Sequence, residues 1–426
     1  MKIAIVHDWL IRLGGAERVL IALHRIFPDA PIYVLFHDKK FIEQYLPKAK
    51  IIPSFLQKIP NIKKLHPWFK ILMPPAVESL NLSGFDLVIS SSHEFSHGVL
   101  VRQKTGHISF YHSPSRILWD RSNEYIRDFK ERGKSRLKIF LIKLGQHFLR
   151  LWDWPASRRP DIMIANSKHV AGRIKKYYGK EAKVIYPPVE VSFLEQTERE
   201  MFGERVRKPF WLGSDPPVGG SDKTVSYTRR SPLERPRMSE PNFPAKDYFL
   251  IVSQLYPHKN IDLAIRAFKN LPKLNLLIAG DGPEYKRLKK LKSGNVKLLG
   301  FIPDEELAHY YKNCSAYLIC NEEDFGISPV EAMSFGKPVL AYKKGGAEET
   351  ILEGATGEFF YNLDHNELAK AVESISRKIK NGRYDSAAIK KYSEKFNFRR
   401  FKKEILDLIG ALNYNQDYSS NIIHEA

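Results

Sequence analysis

The chain has 426 residues, which at roughly 150 residues per domain allows two or three domains, each able to bury a sizeable core. Apolar residues make up 43%, charged residues 27% and aromatic residues 12%, which excludes a disordered or fibrous chain; no apolar run approaches the ~18 residues of a spanning helix. Charge is the outlier: 68 Lys and Arg against 48 Asp and Glu leave a net +20, so a negative partner is expected, whether nucleic acid, anionic lipid or a phosphorylated small molecule. Two cysteines, Cys314 and Cys320, are too few for a disulfide framework and predict a reducing compartment. The N-terminus "MKIAIVHDWL" has neither the long apolar stretch nor the cleavage site of a leader, so a cytoplasmic protein is expected, either free or on the inner face of a membrane.

Taken in chain order, the strand patterns "KIAIVH", "APIYVLF", "FDLVISSS", "GHISFYH", "DIMIANS" and "AKVIYPPV" alternate with helical patterns such as "GGAERVLIALHRIF" and "KHVAGRIKKYYG". Short β-branched strands separated by helices predict a parallel sheet covered on both faces, over residues 1–190. Residues 203–245 are rich in Pro, Gly, Ser and Arg with no period of either kind, which predicts a mobile linker or insertion. The alternation resumes over 246–397 with "DYFLIVSQL", "LNLLIAGDG", "VKLLGF", "SAYLICN" and "KPVLAYK". A last helix, 398–413, is expected to pack near the domain junction. The fold class is therefore α/β, with two doubly wound domains facing across a cleft toward which the carboxyl ends of both sheets point.

The stretch with most chemistry is "NEEDFGISPVEAMSFGKPV", Asn321 to Val339. One reading is structural: Ser328 caps a helix, Pro329 opens it, Glu331 completes a capping box, and Glu322, Glu323 and Asp324 form a solvated acidic turn. The other is functional: the helix start binds phosphate while flanking carboxylates accept hydrogen bonds from sugar hydroxyls.

The two acids separated by seven residues, the internal Phe-Gly and the following "EAMSFGKPV" resemble the signature of retaining glycosyltransferases of family 4, which have the two-domain GT-B fold. The spacing selects Glu323 with Glu331. The resemblance implies that Glu323 holds the transferred sugar and Glu331 the ribose. It places Gly326, Ile327 and Ser328 at the donor diphosphate. "GGAE" after the first strand resembles the family's first glycine loop and brings in Gly14 and Gly15; read without the family, a glycine pair there is a tight turn. "YHSPSRILWD" resembles the His-x-x-Pro-Ser-Arg segment, so His112 is implied to contact the sugar; it should lie at a strand's carboxyl end, although a lone histidine can equally be a satisfied core residue. Asn166 and Ser167 match too, with helix capping as their main work.

In the second half, "VSQLYPHKNIDLAIRAF" resembles the segment that supplies an Arg and a Lys to the leaving diphosphate. Lys259 matches the Lys. Gln254 stands where the family has Arg, which keeps hydrogen-bond donors but loses the charge and the guanidinium fork; Arg116 and Lys343 are candidate substitutes. "AGDGPE" (Ala279 to Glu284) reads as a turn. Ile302, in "LGFIPDEEL", falls where the family's backbone meets the nucleotide base, and Gly345 and Gly346 open a second glycine-rich element near the donor. The cysteines lie on a buried strand pattern as small hydrophobes, and no metal-ligand cluster or cofactor is expected.

"LQKIPNIKKLHPWFKIL" and the segment from Tyr125 to Arg159, with ten basic and three acidic residues, interleave Lys and Arg with Leu, Phe and Trp. Such runs are solvated helix faces or lie on anionic membranes. Nucleic acid would need a recognition element, and none is found. Together "HDWL", "GGAERVL" and "YHSPSRILWD" resemble most the bacterial mannosyltransferases of cell-surface polysaccharide assembly. That resemblance implies metal-independent transfer of a hexose, mannose from GDP-mannose, to a glycan or lipid-linked hydroxyl with retention. Gln254 and the insertion motivate the alternative, a sugar-nucleotide-binding or scaffold subunit with weakened catalysis.

Overall fold

The computed structural model describes residues 1–131, 135–189 and 246–423, so the expected linker at 203–245 lies outside the described residues. The described chain forms two compact units. The first comprises Met1–Val189, Glu323–Ile327 and the chain from Phe396 onward; the second comprises 246–322 and Ser328–Lys395.

The first unit holds a seven-stranded sheet of β1 (Ile3–Leu10), β2 (Ile32–His37), β3 (Ile51–Pro53), β4 (Leu87–Ser92), β5 (Gly106–Tyr111), β6 (Ile162–Ala165) and β7 (Lys183–Val184), in the order β3-β2-β1-β4-β5-β6-β7. All of its strand pairs are parallel. β1 shows why it sits in the middle. Ile5 and Leu10 pack into one core layer with Leu20, Leu23 and Val34, while Ala4, Val6 and Trp9 pack into the opposite layer with Leu35, Val77 and Val88. A strand buried on both faces must be nearly all apolar, and this one is, apart from His7 and Asp8.

The last helix, Phe398–Ile423, returns to this sheet, and its Phe401, Ile405, Leu408 and Ile409 join the Ile5 layer. Arg400 fastens it by donating from Nη2 to the carbonyl of Tyr186 at 2.7 Å. Ser167 caps the helix Lys168–Tyr178, accepting from the Val170 amide at 3.0 Å.

The second unit holds β8 (Tyr248–Val252), β9 (Asn275–Ala279), β10 (Val296–Gly300), β11 (Cys314–Ile319), β12 (Val339–Tyr342) and β13 (Gly357–Phe360), in the order β10-β9-β8-β11-β12-β13. These strands too are all parallel, so the loops that follow them leave one end of the sheet. Its core joins Phe249, Ile251, Leu276 and Ile278 to Ile265 and Phe268 of the helix Ile261–Lys269 and to Leu368 and Val372 of the helix His365–Lys380. Cys314 and Cys320 are free and buried, and burial pushes the Cys314 thiol up to about 12. The α/β class with two doubly wound sheets, expected from the alternating patterns, is the observed one.

Candidate active site

In each sheet the strand order reverses at one place, between β1 and β4 in the first and between β8 and β11 in the second. Open parallel sheets bind ligands at the carboxyl ends of such strands.

In the first unit this place is built around a carboxylate that sequence reasoning missed. Asp8, fully buried near the end of β1, accepts four backbone N–H groups of the segment after β4: His93 (2.8 Å) and Glu94 (2.9 Å) on Oδ2, Phe95 (2.8 Å) and Ser96 (2.7 Å) on Oδ1. His93 Nδ1 lies 2.8 Å from the same Oδ2. Burial alone would raise the Asp8 carboxyl, but His93 and these amides hold it far below the usual carboxylate range. Burial alone would lower His93; Asp8 outweighs it and raises the imidazole to about 9, so His93 is a cation at neutral pH. The one sequence signal was a polar His-Asp pair interrupting an apolar strand.

His112, the expected sugar contact, follows β5 in the same unit and is buried, with Nε2 2.8 Å from Ser91 Oγ. Burial, with His7 and His93 nearby, keeps it well below the ordinary histidine range and therefore neutral. His7 Nδ1 bonds the Ser91 carbonyl at 3.0 Å, and His7 Nε2 stands 3.6 Å from Glu17 Oε1 in the first turn of the helix Gly15–Ile26. Gly14 caps that helix with φ −142°, so the Gly pair is not a left-handed turn. It leaves room instead: a Cβ at Gly14 would meet Glu17 Oε2 at 2.9 Å, and one at Gly15 would meet Ile327 Cδ1 at 3.3 Å.

The segment Glu323–Ile327 belongs to this first unit, so Glu323, Gly326 and Ile327 are grouped with His112, Gly14, Gly15 and Arg116. Asp324 is the anchor. Its carboxylate pairs with Arg173, whose side chain is 7% exposed, and its carbonyl accepts from Ser167 Oγ at 2.5 Å. Arg173 also reaches Asp120 Oδ2 at 3.2 Å and donates to Ser113 Oγ at 3.2 Å. Arg116, a candidate for the diphosphate, lies 3.4 Å from Asp120 and 3.6 Å from Asp324 in the same cluster. Phe325 adds rings against Tyr186 and Phe396 at 5.7 and 5.6 Å. The acidic turn is therefore not simply solvated. Arg173 was missed because nothing in "KHVAGRIKKYYG" separates it from its exposed basic neighbours; its partner lies 151 residues away.

In the second unit, Gln254 and Lys259 lie on the loop after β8, Gln254 exposed and Lys259 half-buried at the end of the turn Pro257–Lys259. Asn260 ties this loop to the one after β11 by donating to the Cys320 carbonyl at 3.0 Å. The "AGDGPE" turn presses on it from the other side. A Cβ at Gly280, whose φ is +147°, would fall 1.7 Å from the Ser253 carbonyl oxygen, and one at Gly282 would fall 2.5 Å from that of Leu255. Ile302 follows β10, two residues after Gly300; Gly345, at φ +74°, and Gly346 follow β12 and open the helix Ala347–Thr350.

The helix after β11 runs Ile327–Ser334, so Ser328 is its second residue and not its cap, which corrects the expected capping box. Glu331 is buried and accepts from Tyr311 Oη at 2.8 Å. Tyr311 was missed, since its pairing needs the fold. Glu322, in this unit, pairs with Lys344 at 3.2 Å. Lys343 is held by Glu353 at 3.2 Å beside the Tyr361 hydroxyl. Among the described residues no group of three or more His, Cys, Asp or Glu is placed to hold a metal ion.

Two family models match this chain: "Glycosyltransferase Family 4" over residues 13–193 and "Glycosyl transferases group 1" over residues 235–395. The chain is 25% identical over 295 residues to the poly(glycerol-phosphate) α-glucosyltransferase of Bacillus subtilis, covering 64% of this chain and 39% of that protein. It is 29% identical over 204 residues to the GDP-mannose-dependent α-(1-6)-phosphatidylinositol monomannoside mannosyltransferase of Mycolicibacterium smegmatis, covering 43% and 52%. The chain thus spans about half the length, or less, of these curated relatives. Anabaena HepE, crystallised with UDP and glucose, shares the fold at TM-score 0.63 and 18% identity over 96% of this chain and 99% of that one. With one model on each half and the GT-B fold throughout, the chain belongs to the group 1 and family 4 glycosyltransferases.

Proposed function

We propose that the protein transfers a hexose from a nucleotide-diphosphate sugar to a hydroxyl of a glycan or lipid-linked acceptor, with retention, in the assembly of a cell-surface polysaccharide. The observation that carries the proposal is the conjunction of both family models with the Glu323 and Glu331 spacing at the carboxyl end of β11. On this reading Glu331, oriented by Tyr311, binds the ribose and Glu323 the sugar. Ile302 offers its backbone to the base, and Gly345 and Gly346 admit the donor closely. Lys259, Gln254 and the N–H groups at Gly326, Ile327 and Ser328 stabilise the departing diphosphate.

Neutral His112 donates or accepts a hydrogen bond at the sugar without adding charge, and Gly14 and Gly15 leave space for the acceptor. The acceptor oxygen bonds to the anomeric carbon on the side the diphosphate leaves; its proton passes to the diphosphate oxygen as the glycosidic bond to that oxygen breaks. Lys259 and the backbone dipoles supply positive charge without a metal. Mannose from GDP-mannose is the favoured donor, supported by the resemblance of "GGAERVL" and "YHSPSRILWD" and by the similarity to the M. smegmatis enzyme.

Thermal unfolding with GDP, UDP and ADP, followed by turnover of the matching sugar nucleotides with EDTA and with Mg²⁺, tests this. Stabilisation by GDP and EDTA-resistant turnover are expected. If no nucleoside diphosphate raises Tm, the proposal fails. The second reading, a binding or scaffold subunit, is favoured by Gln254 and would show as stabilisation by nucleotide with no turnover.

A further inference from the structure

One surface of the first unit plays no part in this chemistry. The helix Arg136–Ala156 turns Gln146, Leu149, Asp153 and Ala156 inward, where Asp153 accepts from Trp119 Nε1 at 2.7 Å and Tyr178 Oη at 2.8 Å. A helix on a globular domain normally buries its apolar stripe. This one leaves an apolar stripe in the open: Leu137, Phe140, Leu141, Leu144, Phe148 and Leu151 recur at helical spacing and are between 40% and 67% exposed. Arg136, Lys138 and Lys143 are exposed on the same helix, whose one carboxylate, Asp153, is fully buried.

The segment Ser54–Met73 lies beside it. Leu72 and Phe69 share a core layer with Leu149 and Trp152, which sets the turn Lys70–Leu72 against the helix. That segment contains four lysines and no acidic residue; Lys63 pairs with Asp38 and Lys70 with Glu94, while Lys58 and Lys64 are exposed, as are Leu65, Trp68 and Ile71. The two basic, apolar stretches that stand apart in the sequence are thus neighbours in space.

We propose that this joined surface docks on an anionic lipid bilayer, with the helix lying in the interface plane. Apolar side chains flanked by Lys and Arg, with no exposed carboxylate on the helix, match acyl chains beneath anionic headgroups. Among the described residues no helix is long and apolar enough to cross a membrane. A second copy of the chain fits less well, because a two-fold contact through this face would set like charges together. Nucleic acid would pair with the lysines but leave the Leu and Phe stripe without an apolar partner. The inference does not depend on the sugar chemistry.

The test is co-sedimentation of the full chain with vesicles of phosphatidylcholine alone or mixed equally with phosphatidylglycerol, at low and high salt, beside bulk DNA and sedimentation equilibrium without lipid. Binding to the mixed vesicles, weakened by salt, is expected. The pair Phe140→Glu and Phe148→Glu should raise the lipid concentration for half-binding at least about tenfold. The pair Lys138→Glu and Lys143→Glu should abolish the preference for anionic vesicles. All four side chains are exposed, and an unchanged Tm and an unchanged nucleotide-induced Tm shift verify folding. Binding to neither vesicle, or equal binding to both, would overturn the proposal. So would a lipid-free dimer, or DNA binding without vesicle binding, that the Phe pair abolishes.

Discussion

Replacing Asp8 by Asn changes one oxygen to an NH₂ group and removes a charge with almost no change in volume. The carboxylate divides its work, two amides on each oxygen, with His93 on Oδ2 as well. Whichever way the amide of Asn turns, two backbone donors face its NH₂ group. Each buried donor left unsatisfied costs about 1–3 kcal/mol, and His93 loses its counter-ion, so Asp8→Asn should destabilise the first unit by about 4 kcal/mol. The pH dependence carries the sharper signature. His93 is raised from 6.5 to about 9 in the folded unit, so its contribution is complete below pH 6.5 and is lost as pH rises through 9. At about 1.4 kcal/mol per pH unit that contribution is of order 3–4 kcal/mol. Asp8 is lowered, so its contribution holds above the ordinary carboxylate range and fades only in strong acid. Urea unfolding followed by tryptophan fluorescence reads the right unit, because five of the six tryptophans, Trp9, Trp68, Trp119, Trp152 and Trp154, lie in it. Wild-type protein should lose stability between pH 6.5 and 9, and Asp8→Asn should start lower and lose less over that interval. A variant within about 1 kcal/mol of wild type, or one with the same slope, would refute the reasoning.

Other substitutions probe the motif residues. Glu331→Gln keeps an oxygen for Tyr311 and should leave Tm within a degree or two while raising donor KM about tenfold; Glu331→Ala, which removes the carboxylate that accepts from the buried Tyr311 hydroxyl, should also cost about 1–3 kcal/mol in thermal unfolding. Asp324→Ala removes one carboxylate from the buried Arg173, which keeps Asp120 and the Ser113 hydroxyl, and should destabilise the first unit by about 3 kcal/mol, read by the same fluorescence; no loss would show that the remaining partners suffice. Gln254→Arg restores a guanidinium to the loop after β8 and should hold or raise kcat in a sugar-transfer assay. Folded but inactive protein would point instead to the binding-subunit reading.

Most elements were legible because their signals are local. "KIAIVH" reads as a strand on its own residues, although β1 runs on through Asp8 to Leu10, and "KHVAGRIKKYYG" carries its helical period and its stop together; the short strands Ile51–Pro53 and Gly357–Phe360 were not expected. The site was legible only where residues that act together are close in sequence or follow a family's order, as with Glu323 and Glu331. Asp8 with His93, Arg173 with Asp324 and Tyr311 with Glu331 are separated by 85, 151 and 20 residues. No periodicity links such pairs, since each forms only when strand order and register have been set. The Ser328 cap failed for a smaller reason. Ser-Pro is a common helix opening, yet here the helix starts at Ile327, two residues before Pro329.

The return of the helix Phe398–Ile423 to the first sheet has a consequence for biosynthesis. Phe401, Ile405, Leu408 and Ile409 complete a layer whose other buried members run from Ile5 to Ile185 in the chain. A ribosome adding ~5–20 residues per second needs roughly 10–40 s to travel from Val189 to Phe398. For that interval the nascent first sheet exposes an apolar trough that its own last helix will later fill. The second unit, threaded as an excursion within the first, can fold to completion in the meantime. Maturation of the whole thus waits on the closing helix, and a chain broken off near Lys395 would hold a folded second unit beside a sticky, unfinished first one.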